Sequence, residues 1–241
     1  MVDGERRTRL LARLMQGTTE LNTKRLCEAC AEVVEMSGAG IMLMAGDIPQ
    51  GSLCTTGKVS ALIEESQFAL GEGPCVDAYN EDRPVLEPDL ANPSMPRWLA
   101  FTGPVLDAGV RAIFGFPLRV GGIRLGALNL YRDQPGALTD EQHADALAMA
   151  DIATRAVLVM QSKAPLGQLA DELETGADFE YIVHQASGMV AGQLGVSVGQ
   201  ALIRLRGYAF GNARPLRQVA EDVIARRLRF DDSSGEQDPT P

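Results

Sequence analysis

Several residue types are scarce in this chain, and each scarcity excludes a class of protein. The chain has 241 residues with two histidines and four cysteines. Two histidines leave little material for acid–base catalysis, and four cysteines without dense spacing argue against a secreted disulfide scaffold. No apolar run reaches the length of a membrane span, and the first residues lack the uninterrupted apolar stretch of a signal peptide. We therefore expect a cytoplasmic protein with no membrane partner.

Catalytic motifs are also missing. The glycines at Gly71, Gly73, Gly121 and Gly122 are not followed by Lys-Ser or Lys-Thr, so they do not indicate a phosphate-binding loop. No spaced set of Ser, His and Asp stands out. The sequence therefore favours a protein that is not an enzyme and needs no cofactor.

Positive charge is scarce except in one stretch. The formal net charge is −10. Residues 179–230 contain seven arginines, no lysine and three acidic residues; their net charge of +4 leaves −14 for the rest of the chain. Because an acidic surface repels nucleic acid, we expect nucleic-acid contact only in this basic stretch. Arginine suits such contact, since its planar fork binds phosphate and stacks on bases.

The basic stretch has the pattern of three amphipathic helices. Apolar residues recur at three- and four-residue spacing from Phe179 to Leu194, and Gly195 suits the end of that helix. Ser197 followed by Gln200 is a capping-box pattern that opens a second helix. Pro215 suits the first turn of a third helix.

The part before the basic stretch alternates helices and strands. Two apolar runs at 112–120 and 123–131 are joined by Gly121 and Gly122, which predicts a hairpin. Thr139 with Gln142 predicts the start of a long helix that ends near Ser162. We expect an α+β fold with helices against an antiparallel sheet. The other expected elements are helices at 6–15, 58–70 and 99–108, one helix from residue 22 or 23, and strands at 38–45, 53–56 and 84–86.

Two family resemblances rest on local motifs. The segments LGEGPCVDA at 70–78, PVLEPDL at 84–90, GVRAIFGFPL at 109–118 and LGALNLYRDQPG at 125–136, with the Trp98 loop, resemble a GAF domain. The basic stretch resembles the ANTAR domain, the small RNA-binding output module of bacterial transcription antiterminators. Ser187 departs from that pattern, because many ANTAR domains have a lysine there. The ANTAR resemblance rests on Ala186, Gly188, Met189, Val196, Ser197, Ala201–Leu205, Asn212–Leu216, Val219 and Ala220.

The resemblances imply a sensor followed by an output module. The expected parts are an N-terminal helix at 1–21, a GAF sensor domain at 22–163, a helical connector at 164–178, an ANTAR domain at 179–230 and a disordered acidic tail at 231–241. The implied function is signal-responsive antitermination through RNA hairpins in leader transcripts. Since two hairpins call for two modules, we expect a homodimer with its seam along the helix at 139–162 and the connector that follows it.

Candidate site residues follow from the charge pattern and from both resemblances. For RNA, the first choices are Arg206, Arg214 and Arg217, although ion pairs with Glu221 or Asp222 are the alternative role for such arginines. The full RNA-binding set is His184, Ser187, Arg204, Arg206, Arg214, Arg217 and Arg226. For an unidentified small molecule in the sensor, the apolar candidates are Leu43, Phe68, Leu86, Phe101, Phe114, Phe116 and Leu128.

The cysteines leave two further interpretations. Cys27 and Cys30 have the spacing of a metal or redox pair, but Cys30 shares a face with apolar residues, which favours core packing and no metal. Cys75 follows a proline in a turn and is a candidate redox thiol.

The alternative functions are duplex DNA binding, a thiol-dependent GAF-fold enzyme that uses Cys54 and Cys75, and binding of an acidic protein partner.

Overall fold

A computed structural model of the chain describes residues 2–16, 22–45, 48–162 and 178–230. The chain divides into two compact units, Met1–Gly176 and Ala177–Pro241. The predicted connector at 164–178, except its last residue, and the predicted tail at 231–241 lie outside the described residues.

The first unit is an antiparallel sheet with helices on both faces, which confirms the predicted α+β fold. The sheet has five strands in the order β2-β1-β5-β4-β3, and all neighbours are antiparallel. The strands are β1 (Gly38–Ala45), β2 (Ile48–Thr55), β3 (Val85–Glu87), β4 (Ala112–Val120) and β5 (Ile123–Arg132). The helices are α1 (Val2–Leu14), α2 (Thr23–Val34), α3 (Lys58–Leu70), α4 (Pro74–Glu81), α5 (Leu99–Asp107) and α6 (Asp140–Ser162).

Local side-chain chemistry sets several of these boundaries. The Asn22 side chain caps α2 by accepting a hydrogen bond from the backbone N–H of Arg25 at 2.8 Å. Thr139 and Gln142 form the predicted capping box, with hydrogen bonds of 3.1 and 3.2 Å. The turn between β4 and β5 has Gly121 in the left-handed region, at φ +57°.

Strand β2 is longer than the sequence predicts. It begins at Ile48, whereas the predicted strand begins at Leu53. Pro49 and Gly51 weaken the strand pattern in this segment, and its pairing with β1 contains two register shifts. The extra length therefore comes from pairing with β1, which local sequence does not encode.

Helix α1 packs against the rest of the first unit, as its apolar residues predict. Leu10 and Leu14 are buried in the main core. On the charged side, Arg6 and Arg9 both bind the carboxylate of Asp145 on α6; the Arg9 Nη2 to Asp145 Oδ1 distance is 3.1 Å. Apolar burial and these ion pairs together hold α1 on the domain.

The second unit contains the three predicted helices: α7 (Asp178–Leu194), α8 (Val198–Gly211) and α9 (Leu216–Ile224). Ser197 and Gln200 form the predicted capping box at the start of α8, and Gly195 after α7 has φ +66°. Pro215 lies one position before α9, where it acts as the N-cap residue instead of occupying the first turn. The buried core of this unit comprises Val183, Ala186, Val190, Ala201, Leu202, Leu205, Ala209, Leu216, Val219, Ala220, Val223 and Phe230.

A disulfide joins α2 to the edge strand β2. It links Cys27 to Cys54, whose Cα atoms are 6.1 Å apart. The sequence did not predict this bond, because pairing depends on how β2 lies against α2. Cys30 is a free thiol in the core, as predicted. With Cys27 oxidised, the pair at 27 and 30 does not supply two thiolates for a metal.

Replacing both Cys27 and Cys54 with alanine should lower the free energy of unfolding of the first unit by about 3 kcal/mol. The bond crosslinks residues separated by 27 positions, so it restricts the unfolded chain. Urea unfolding can be followed by fluorescence of Trp98, the one tryptophan of the chain, which is buried in this unit. The control is the Cys30→Ala variant, which retains the disulfide. A thiol reductant should therefore destabilise this variant as much as it destabilises the unmodified protein. Equal stability of the unmodified protein with and without reductant would contradict the expectation.

Candidate nucleic-acid interface and sensor interior

The outward face of α8 combines apolar side chains with arginines. Ile203 and Phe210 are 66% and 71% exposed. At 100° per residue, these two side chains lie between Arg206 on one side and Arg204 on the other. Gly207 is in the middle of this face, and a Cβ there would meet no atom within 4 Å. The face therefore offers flat apolar surface, positive charge and open space together.

Two of the predicted arginines make ion pairs within the second unit. The Arg214 guanidinium donates to Asp222 at 2.5 Å, and Arg227 donates to the same carboxylate at 2.7 Å. These hydrogen bonds, Arg214's first, hold the pKa of Asp222 below its usual value. Arg217 donates to Glu221 at 3.0 Å. Arg214 and Arg217 thus make the ion pairs that the sequence analysis gave as their alternative role.

Other arginines of this unit remain open to solvent. Arg204, Arg226 and Arg229 are exposed, and none of them has an ion pair among the described residues. Arg206 is half-buried, and burial lowers the pKa of its guanidinium to about 10. Arg204 and Arg226 are thus exposed and have no ion pair among the described residues, whereas Arg214 and Arg217 are ion-paired and Arg206 is half-buried.

Helix α7 presents a different set of groups than its sequence suggests. Ser187 is buried, and its hydroxyl donates to the backbone oxygen of Val183 at 2.8 Å. It cannot serve as a surface group for RNA in this conformation, and His184 beside it is half-buried. Gly188 has open space around it, whereas Ala186 is in the core. Tyr181, which the sequence analysis passed over, is 67% exposed.

In both α7 and α8, the sequence pattern contains large apolar residues outside the buried face of the helix, and these residues were not among the predicted site residues. Tyr181, Ile203 and Phe210 do not share the face of the buried residues of their helices. A helix that places large apolar groups on its outer face carries contact surface beyond what its own core requires.

The seven apolar candidates in the sensor do not line one pocket. Phe114, Phe116 and Leu128 belong to the core under α1, α2 and α6, with Leu43 packed against it. Phe68 and Phe101 lie in α3 and α5, outside that core, and Leu86 is exposed. The strand residues among the candidates share one face of the sheet, whereas the two helical residues belong to elements outside that core. A surface cleft of about 280 Å³ lies elsewhere, between α1, α2 and α6.

The interior on the opposite face of the sheet holds buried polar groups beside apolar ones such as Ile63 and Phe68. Glu64 and Gln67 on α3, Cys75 on α4 and Asn129 on β5 are all buried. Gln67 Oε1 accepts a hydrogen bond from the Cys75 backbone N–H at 2.7 Å. Of these four residues, the sequence analysis named only Cys75. The other three were missed because buried polar groups leave no periodic signal in the sequence.

Cys75 is poorly suited to thiol chemistry in this setting. Burial, and then the nearby Glu64, raise the pKa of its thiol well above the usual value, although a Gln67 hydrogen bond opposes the shift. Cys54, its proposed partner in a thiol enzyme, is bonded to Cys27 instead. The described residues contain no group of three or more His, Cys, Asp or Glu side chains placed to hold a metal ion.

The loops beside this interior are held by side-chain hydrogen bonds. Trp98 Nε1 donates to Asp77 at 2.8 Å. Glu72 Oε1 accepts from the backbone N–H groups of Ala100 and Phe101 at 2.8 and 2.9 Å. These bonds attach the start of α5 to the α3–α4 turn.

Within the described residues, no single helix is long and apolar enough to cross a bilayer. The bent pair Tyr181–Leu194 and Val198–Gly211, at 104°, passes that test by length and composition alone.

Ser187→Ala should leave RNA affinity unchanged within about twofold, because the hydroxyl is bonded inside its own helix. Filter binding to an RNA hairpin would measure it, and circular dichroism would check that the unit stays helical. A large loss of affinity with the helix content intact would return Ser187 to the RNA-binding set.

Comparison with known proteins identifies the first unit. The family model described as GAF domain matches residues 23–157. The GAF domain of a phosphoenolpyruvate-protein phosphotransferase from Coxiella burnetii is similar, with 13% identity over 67% of this chain and 95% of that chain and a TM-score of 0.49. The corresponding Acinetobacter domain has 8% identity over 68% and 98%, with a TM-score of 0.47.

A type II free methionine-R-sulfoxide reductase from Thermoplasma acidophilum is also similar, with 18% identity over 64% of this chain and 94% of that chain and a TM-score of 0.43. No functionally curated protein matches the chain. The family match confirms the predicted GAF sensor domain, and residues 179–230 lie outside it. Because that match spans more than half of the chain and coincides with the antiparallel sheet and its helices, this protein belongs to the GAF domain family.

Proposed function

We propose that this protein is a cytoplasmic, signal-responsive regulator whose second unit binds RNA hairpins in leader transcripts and so promotes transcription antitermination. The observation that carries the proposal is the outward face of α8, where Phe210 and Ile203 lie between Arg204 and Arg206. The GAF domain supplies the sensing part of this function. The protein acts by binding, not by catalysis, and uses no cofactor.

Unpaired RNA bases are the ligand that this face suits best. Bases in hairpin loops are splayed out and stack on aromatic rings and guanidinium planes. Phe210 offers such a ring at the surface, and Arg204 offers a guanidinium without an intramolecular ion pair among the described residues. Gly207 lets the backbone of a ligand approach the helix closely. Tyr181 on α7 adds a second exposed ring.

Duplex DNA is the second candidate and is favoured by fewer observations. Readout of a major groove uses polar side chains that reach base edges. The outward face of α8 instead exposes Ile203 and Phe210. Three helices with arginines are compatible with a helix-turn-helix, but apolar surface at the centre of the contact suits stacking better.

A homodimer would bring two RNA-binding units to paired hairpins. The C-terminal part of α6 carries Leu158 and Val159, which are 37% and 57% exposed. Neither side chain is needed for the core of its own domain. We therefore place the dimer seam along α6. A ligand in the GAF domain would regulate RNA binding if its affinity differs between two arrangements of the dimer.

Competition between nucleic acids tests the function. Full-length protein bound to a labelled RNA hairpin is challenged with unlabelled hairpin, duplex RNA and duplex DNA at one salt concentration, since phosphate attraction alone favours all three. The proposal expects the hairpin to compete best. If duplex DNA competes best, the DNA-binding alternative replaces the proposal, and if none binds, the role in RNA recognition is wrong.

Phe210→Ala should weaken hairpin binding by about fivefold to 150-fold, because stacking of one base on an aromatic ring contributes about 1–3 kcal/mol. Arg204→Ala should weaken binding less and reduce the dependence of affinity on salt by about one counterion. The matched control is Leu99→Ala, which removes a similarly exposed apolar side chain from the GAF domain. Equal affinity of the Phe210 and Leu99 variants would remove α8 from the interface.

Val159→Glu should convert the dimer to a monomer, because the charge would be desolvated in the α6 seam. Sedimentation equilibrium is the measurement, with Ile123→Glu in the exposed β4–β5 turn as control. A monomeric unmodified protein, or a dimeric Val159 variant, would exclude this seam.

A further inference from the structure

Two arginines from opposite ends of α9 bind a single carboxylate, that of Asp222. Arg214 precedes the helix, and its Nη2 donates to Oδ2 at 2.5 Å. Arg227 follows the helix, and its Nε and Nη2 each lie 2.7 Å from Oδ1. Each carboxylate oxygen therefore serves a different guanidinium, so the two positive groups converge on one position for an anion.

The backbone on both sides of α9 is held in unusual conformations. Ala213 and Arg226, which directly precede the two arginines, have φ values of +49° and +59°, and residues other than glycine rarely adopt these. The backbone N–H of Arg214 donates to the last turn of α8 at 2.9 Å, and that of Arg227 donates to the Asp222 oxygen at 2.8 Å. Such conformations persist only where the surrounding structure holds them. Both turns are thus fixed where their arginines meet.

The position between the two arginines is open to solvent. The side chains of Arg214, Asp222 and Arg227 are 33%, 21% and 65% exposed. Asp222 contacts one nitrogen of Arg214 and two of Arg227, whereas each guanidinium carries five N–H donors. A ligand can therefore approach both guanidiniums from the surface.

The phosphodiester group of RNA matches this position. Its two unesterified oxygens share one negative charge, as the oxygens of Asp222 do, and arginine binds both kinds of group through paired N–H donors. Two arginines against one carboxylate leave a net positive charge that attracts a further anion. Arg214 follows Phe210 by four residues, so the position adjoins the end of α8 that carries this exposed ring.

We propose that Arg214 and Arg227 form a clamp for one backbone phosphate of RNA, and that the Asp222 carboxylate occupies this clamp when RNA is absent. The inference rests on the proposed function and adds a regulatory contact to it. RNA binding exchanges the carboxylate for a phosphate. Because the internal carboxylate weakens the attraction of any polyanion, recognition depends more on base contacts such as stacking on Phe210.

Asp222→Asn removes the internal anion and keeps the shape of the side chain. In the full-length chain, this variant should bind an RNA hairpin about fivefold tighter or more than the unmodified protein, and the salt dependence of its affinity should rise by about one counterion. Filter binding over a range of salt concentrations measures both.

The matched control is Glu221→Gln, which removes the same charge from the neighbouring position. Glu221 binds only Arg217 among the described ion pairs, so its loss frees one arginine and opens no two-armed clamp. The control should gain at most about twofold in affinity. Equal gains in the two variants would show a general effect of charge and overturn the proposal.

Second substitutions locate the gain. Adding Arg214→Ala or Arg227→Ala to the Asp222→Asn variant should return hairpin affinity to that of the unmodified protein or below. A gain that persists in both double variants would reject the clamp.

Circular dichroism shows whether the Asp222→Asn variant folds. If it does not, nuclear magnetic resonance of the unmodified chain decides, through the Nε–H signal of Arg227 assigned with an Arg227→Lys variant. Hairpin RNA should shift this signal, because Nε exchanges a carboxylate for a phosphate partner. An unchanged signal at saturating RNA would contradict the proposal.

Tripolyphosphate, added without RNA, separates this inference from the proposed function. By titration calorimetry it should bind the Asp222→Asn variant about fivefold tighter or more than the Glu221→Gln variant. Hairpin binding by the unmodified chain, with equal behaviour of the two variants, refutes this inference alone. Preferential tripolyphosphate binding by the Asp222→Asn variant, in a chain that binds no RNA, refutes the proposed function and leaves the phosphate site standing.

Discussion

The alternation of side chains along the strands of the sheet is the constraint on which the rest of the GAF domain depends. One set of alternate residues, including Phe114, Phe116, Leu128 and Leu130, packs against α1, α2 and α6 and forms the main apolar core. The other set places Gly40, Gly115 and Asn129 under α3 and α4. The interior under α3 and α4 therefore differs from the main core in holding buried polar groups, Glu64, Gln67 and Asn129, beside apolar residues such as Ile63 and Phe68.

In the second unit as well, the residues that form the core differ from those that are exposed and available for binding. Its helices are short, and its core consists mostly of small and β-branched residues such as Ala186, Val219 and Val223. Phe210 and Arg204 are left on the outer surface, where they contribute nothing to that core. The charge of the chain follows this division, since the basic residues of 179–230 stand against a strongly acidic remainder. In the function that we propose, the acidic sensor repels RNA and RNA contact is confined to the basic second unit.

The sequence predicts features that depend on neighbouring residues and misses those that depend on distant ones. The bounds of β1 and α3 and the capping boxes at Thr139 and Ser197 follow from local chemistry, and all are found in the structure. The Cys27–Cys54 bond requires β2 to reach α2. Likewise, the burial of Ser187 depends on how α7 packs within the second unit. The ion pairs of Arg214 and Arg217 join residues only eight and four positions apart, and the sequence analysis named them as the alternative role of these arginines. The sequence therefore led to the arginines of this segment, but not to the exposed apolar side chains of Tyr181, Ile203 and Phe210.

We propose that the GAF sensor controls an RNA-binding unit of three helices. Recovery and sequencing of RNA crosslinked to the protein in cells tests it most directly, with a protein that lacks residues 179–230 as the reference. We expect enrichment of leader transcripts in which two hairpins are paired near a competing terminator. Equal RNA recovery from the two proteins, or enrichment of DNA in place of RNA, would contradict it.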